Sequence, residues 1–295
     1  MKLKSQVTGD KWQVTRTAQT ANLVTGHGSR VAGFTMVEIA LSLAVIGIGL
    51  MGVIAILPLG MNTQKENREE TIINQDATYW LEAIRSGARG LDDLTNYVGA
   101  IRIDTTVFNA ADMRVIPPQK TVSYTNPAYS LEFPVPNPHP FQLINGQRIV
   151  GLLSMPKYEL VTRSNVSQMF SNHVVAYINA ISGSAVEKFP QNNQAIRGTA
   201  FKYRLTSEVI PYCCFDTNAA TYDTNYWRLS RNLATNLHEL RLTFGWPLLP
   251  NGKVGRGGAQ SFRTMVGGRV TKVLPPNLGP PPLYFVESKS YLPAR

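Results

Sequence analysis

One stretch of this chain limits its folding more than any other: 22 uncharged residues from Ile39 to Gly60, IALSLAVIGIGLMGVIAILPLG. At 1.5 Å per residue such a helix spans about 33 Å, against about 30 Å for the hydrocarbon core of a bilayer. A helix of this length buried in a globular domain normally shows a polar stripe. The run therefore predicts one membrane-spanning helix. Gly47, Gly49 and Gly52 suit close helix approach in lipid. Pro58 removes the hydrogen bond to the carbonyl of Ile54 and is expected to kink or loosen the helix there.

A cleaved secretory signal fits poorly. Its apolar region is about 7–15 residues long and is followed by a small-x-small cleavage site, and no A-x-A follows Gly60. Residues 1–33 carry Lys2, Lys4, Lys11, Arg16 and Arg30 against Asp10, whereas only Lys65 and Arg68 follow soon after the run. The positive-inside bias places the leader in the cytoplasm and the body outside. Residues 1–33 thus hold +4 of the net charge of +10, a membrane-flanking share that weakens the case for nucleic acid as the partner.

Immediately before the run stands Arg30-Val31-Ala32-Gly33-Phe34-Thr35-Met36-Val37-Glu38. A small residue precedes Phe, then Thr, and a lone Glu is fifth counting from that Phe. This order, ahead of about twenty apolar residues, resembles the processing site of type IV pilins and type II secretion pseudopilins. The resemblance implies cleavage between Gly33 and Phe34 by a prepilin peptidase, N-methylation of Phe34, and an assembly role for Glu38 opposite a neighbouring subunit's α-amine. It also implies other pilin or pseudopilin subunits and an inner-membrane assembly platform as partners, beside membrane lipid. The head would be periplasmic before assembly into a pilus or pseudopilus. Apart from the family, an ionised carboxylate in an apolar helix costs about 2.5–3.5 kcal/mol on insertion scales, and such residues usually have a partner.

Beyond the polar stretch 62–71, Ile73, Ala77, Trp80, Leu81 and Ile84 recur at helical spacing, and Gly87 and Gly90 end the pattern. One helix from Phe34 to about Arg85, interrupted near Pro58, is expected, its second half packing on a sheet. Seven prolines between 115 and 141 predict an extended loop. Residues 157–163, 201–210 and 239–246 alternate as half-buried strands do, and Leu283–Val286 forms a last strand. Helix first and strands afterwards predict an α+β fold with an antiparallel sheet on the helix. The expected division is a leader (1–33), a transmembrane and assembly helix (34–61) and a globular head (62–295). The segment LHELRLTFGWP also resembles C-terminal stretches of minor pilin-like proteins.

The chemistry is sparse. No G-x-S-x-G, Walker, H-E-x-x-H or C-x-x-C pattern occurs, so the chain reads as a structural protein without enzymatic activity, cofactor or metal. GKVGRGG (252–258) lacks a Lys-Ser/Thr ending and reads as a flexible hairpin loop, and Arg256, Arg263, Arg269 and Lys272 as a solvated basic region. The adjacent Cys213 and Cys214 leave three states open: a strained vicinal disulfide, two free thiols, or bridges to another chain. A pair without a role is the simplest reading. Asp216-Thr-Asn and Asp223-Thr-Asn lack the density of a calcium loop and read as turns. The large, irregular head favours a minor subunit over an abundant shaft subunit. The alternative is a single-pass anchored exported domain with a binding or enzymatic role unrelated to pili.

Overall fold

The computed structural model describes residues 33–126, 141–163, 166–184, 200–212, 224–274 and 282–291. The chain divides into two compact units, residues 1–58 and 59–295. Helix α1 runs from Met36 to Arg85 and is continuous through Pro58, so the expected interruption there is not present as a break in the helix. Its end is built as anticipated. The N–H of Ala88 bonds the carbonyl of Ala83 and that of Gly87 bonds Ile84, the paired closure of a Schellman motif. Gly87 has φ +60°, and a Cβ there would lie 2.2 Å from the carbonyl oxygen of Val286. Conformation and close approach both require glycine.

The rest of the second unit is α+β and mostly antiparallel. A short 3₁₀ turn at Asp92–Asn96 leads into β1 (Val98–Asn109), β2 (Val115–Thr125) and β3 (Phe141–Gln142). Helix α2 (Gly146–Leu153), β4 (Tyr158–Arg163), β5 (Val166–Asn179) and β6 (Lys202–Pro211) follow. Helix α3 (Thr224–Asn236), β7 (Leu237–Leu248), β8 (Val254–Gly267), β9 (Arg269–Val273) and β10 (Leu283–Glu287) complete the order. The main sheet runs β3-β2-β1-β5-β6-β7-β8 with β4 also paired to β5, and β9 and β10 form a separate pair. Among the described strands every ladder is antiparallel except β2 with β3.

Period-two patterning decides which face is buried. Tyr203, Leu205 and Val209 of β6 and Leu240, Leu242 and Phe244 of β7 point into one core. Ile73, Ala77, Trp80 and Ile84 of α1 join the same cluster, as do α2 and the fully apolar Leu283–Val286. The predicted stripe therefore does supply a wall of the head's core, and Leu81 packs at its margin.

Two expectations need correction. Residues 115–125 are strand β2, not part of a loop. Pro117 and Pro118 fit because the β1–β2 register shifts there: Thr105 pairs Lys120, whereas Val107 pairs Ile116. β3 meets β2 only at Tyr124 and Thr125, so no described outer strand needs an N–H from the prolines. The prolines from 127 to 140 lie outside the described residues. GKVGRGG is likewise mostly strand, with only Gly252 at φ +75° in the turn. A Cβ on Gly257 would meet Pro247 at 2.5 Å, and one on Gly258 would meet the Trp246 ring at 2.9 Å. These glycines let β8 lie flat against Trp246-Pro247 of β7, a close-approach role rather than a flexible one.

Candidate functional site

The first unit contains the residues that the sequence resemblance singles out, Gly33, Phe34 and Glu38. Gly33 and Phe34 precede α1, both exposed, and a Cβ on Gly33 would meet nothing within 4 Å. The described residues therefore set no steric demand for glycine at this position. Thr35 is the residue before the helix, and its Oγ1 accepts from the backbone N–H of Glu38 at 3.3 Å. The carbonyl of Thr35 accepts from Glu38 and Ile39 at 3.0 and 3.1 Å. Thr35-Met36-Val37-Glu38 thus has the Thr-x-x-Glu spelling of a capping box, with its threonine half formed. A carboxylate in the first turn also faces the positive end of the helix dipole. Glu38 therefore has a local reason to occur where it does, which the sequence reading missed although the spacing was visible.

From Ile39 to Met61 every large apolar side chain is at least 48% exposed. This helix is long and apolar enough to cross a membrane, and none of its most apolar window is buried within the chain. A Cβ on Gly47, Gly49, Gly52 or Gly60 would also meet nothing within 4 Å. Close helix approach at these glycines is not made inside the chain. Ser42 avoids an unsatisfied hydroxyl by bonding the carbonyl of Ile39 at 2.9 Å.

The second unit holds a polar chain that sequence reading did not single out. Asp76 and Trp80 lie one turn apart on the buried face of α1, and Tyr203 faces them from β6. Trp80 Nε1 donates to the Tyr203 hydroxyl at 2.9 Å, and that hydroxyl donates to Asp76 Oδ2 at 2.8 Å. The backbone N–H groups of Ile181 and Ser182 donate to the two Asp76 carboxylate oxygens at 2.9 and 2.7 Å. Burial raises the Asp76 pKa, opposed by hydrogen bonds from Ser182, Ile181 and Tyr203. Tyr203 is raised well above the ordinary phenol value, by burial first and by Asp76 second. The network ties the helix to β6 and to the turn after β5. Its sequence signal was a carboxylate inside an apolar stripe, at i+3 from Ile73.

Other singled-out positions separate widely. Arg263 lies 3.8 Å from Glu239, Arg269 3.5 Å from Glu287 and Lys272 2.7 Å from Glu159. Three of the four cations in the basic region are thus matched by carboxylates. Cys213, Cys214, Asp216 and Asp223 lie outside the described residues, as does the leader through Ala32. Among the described residues no three His, Cys, Asp or Glu side chains gather as a metal site would require. His238 is buried on β7 with no partner for Nδ1, and burial lowers its pKa to about 4. Comparison with protein-family models, curated proteins and solved structures gives no match.

Proposed function

We propose that this chain is a prepilin-like structural subunit. In this reading a prepilin peptidase on the cytoplasmic side cuts between Gly33 and Phe34, and the new amine of Phe34 is methylated. The subunit waits as a single-pass inner-membrane protein with a periplasmic head. An assembly platform then moves it into a type IV pilus or type II secretion pseudopilus, as a minor subunit. One observation carries the reading: Gly33-Phe34-Thr35-Met36-Val37-Glu38 stands at the start of a helix whose large apolar side chains from Ile39 to Met61 are exposed on all sides. Such a surface needs lipid or neighbouring helices to cover it. The helix glycines, open in the single chain, support contact with neighbours.

Glu38→Gln tests assembly separately from folding. Gln also serves the third helical position of a capping box, so the helix start survives while the charge is lost. The variant should be inserted and cleaved like the parent but be depleted in sheared or cross-linked filaments from the native host. Equal incorporation of variant and parent would remove Glu38 from assembly. Replacing Gly33 with a bulky residue should leave uncut precursor in the membrane, because a peptidase that approaches the backbone closely there would meet the side chain, whereas the described residues leave room for it. Normal cutting of that variant at Phe34 would contradict processing at this motif.

A further inference from the structure

On the core side of the sheet, a cleft of about 300 Å³ opens between the strands and the β9–β10 pair. Ile103 of β1, Val122 of β2, Val161 of β4 and Phe170 of β5 contribute its apolar floor, and Met155 and the Tyr284 ring line it further. The size lies at the lower end of small-molecule pockets, and the apolar side chains share the lining with Thr105, Lys120, Glu159, Gln168, Asn172 and Lys272.

The polar groups of the cleft are mostly engaged with one another. Glu159 accepts from Lys272 Nζ at 2.7 Å and from the Tyr284 hydroxyl at 2.5 Å. Asn172 accepts from Thr105 Oγ1 at 2.9 Å and donates to the carbonyl of Pro156 at 3.1 Å. Lys120 differs: it lines the same cleft, and among the described residues its ammonium has no carboxylate partner. The lining lysines outnumber the lining carboxylate by one, so the lining carries a net positive charge, with the exposed Lys120 ammonium open to an anion. The complementary ligand is an apolar body with one anionic end.

The floor also restricts the kind of ligand. It consists of strand faces, and β1 is paired on both sides, with β2 and β5. Its backbone groups are committed to those ladders. A peptide main chain lying across the middle of the floor would find few backbone partners, the open edges among the described floor strands being the outer ones of β2 and β4. A small molecule without a peptide backbone avoids that cost.

We propose that this cleft binds a small free carboxylate with an apolar body, its anionic end held by Lys120 and its body resting on Ile103, Val122 and Phe170. The test uses the full chain in amphipol, titrated with octanoate and separately with octanamide, read by saturation-transfer NMR. Octanoate should bind saturably at one site, and octanamide more weakly. Lys120→Met keeps the aliphatic stem and should weaken octanoate roughly two- to fivefold, while Lys120→Glu, which reverses the charge, should weaken it further. Lys120 is exposed, so neither change threatens the core. Non-saturable uptake alike in parent and variants would mean simple partition into amphipol and would overturn the proposal. Equal binding of octanamide and octanoate would remove the role of charge. Stronger competition by a short apolar peptide with a free C-terminus would overturn the small-molecule assignment.

Discussion

Residues 39–61 and 72–84 are both apolar and both helical, yet they meet opposite surroundings. In the first stretch every large apolar side chain is at least 48% exposed; in the second Ile73, Ala77, Trp80 and Ile84 are wholly buried. Arrangement accounts for the difference. Residues 39–60 are apolar around the whole helix, which no single protein face can cover. Residues 72–84 are apolar along one face, with Asn74, Gln75 and Glu82 elsewhere, and the core of the second unit buries that face. Apolar content alone thus does not place a helix in a protein core; a one-sided pattern does.

The strongest way to break the comparison is to put one charge into each stretch. Trp80→Asp removes the largest side chain of the core wall and buries an unpaired carboxylate. It should cost the head about 5 kcal/mol or more, enough to abolish cooperative urea unfolding of a fragment starting at Asn62. The parent fragment should be soluble and unfold cooperatively. Leu50→Asp in the full chain should leave the head's unfolding midpoint unchanged and impair membrane insertion, at about 2.5–3.5 kcal/mol on insertion scales. A head that tolerates Trp80→Asp would remove the stripe from the core.

The buried titratable groups sharpen the contrast through pH. The His238 pKa falls from 6.5 to about 4 on folding, so the unfolded chain holds more protons between those values. Head stability should therefore drop as pH falls from 6.5 to 4, by on the order of 3 kcal/mol from this group, and then level off. Asp76 acts with the opposite sign. Its raised pKa makes the folded state take up a proton first, so its contribution grows as pH falls toward 3.8. Urea midpoints across pH for parent, His238→Leu and Asp76→Asn separate the two. Loss of the acid-side drop in His238→Leu confirms the sign; an unchanged profile contradicts it.

A smaller effect probes the polar chain itself. Tyr203→Phe keeps the ring but removes an acceptor from Trp80 and a donor from Asp76. It should destabilise the head by about 1–3 kcal/mol. Thermal unfolding of the fragment measures this, and no change would mean that water replaces the hydroxyl without cost. Smallest of all, Glu38→Gln should leave head stability unaltered within about 0.5 kcal/mol, since its helix turn is exposed and far in sequence from the core stripe.

Elements with a clear period were legible before the structure. The stripe of α1, the alternation of β6 and β7 and the glycine stop at Gly87 each reflect a local rule, and each occurs as expected. β2 was not legible, because proline chemistry and strand pairing conflict at Pro117-Pro118 and a register shift resolves them only in three dimensions. The glycines of β8 misled for a related reason: flexibility and close packing use the same residue, and only the position of Trp246 distinguishes them. Asp76 was visible as a carboxylate within an apolar stripe. Its partner lies 127 positions away in Tyr203, beyond any local pattern. At the candidate site, Gly33-Phe34-Thr35-Met36-Val37-Glu38 was legible as a string, whereas the capping role of Thr35 required the helix start to be located.

The proposal of a prepilin-like subunit rests on where the mature chain begins. Intact-mass and N-terminal sequence analysis of the protein from the native host's membrane fraction reads this directly. The account predicts a chain beginning at Phe34 with a methylated amine and no leader. A chain that retains residues 1–33 intact would contradict it, leaving an anchored exported domain in its place.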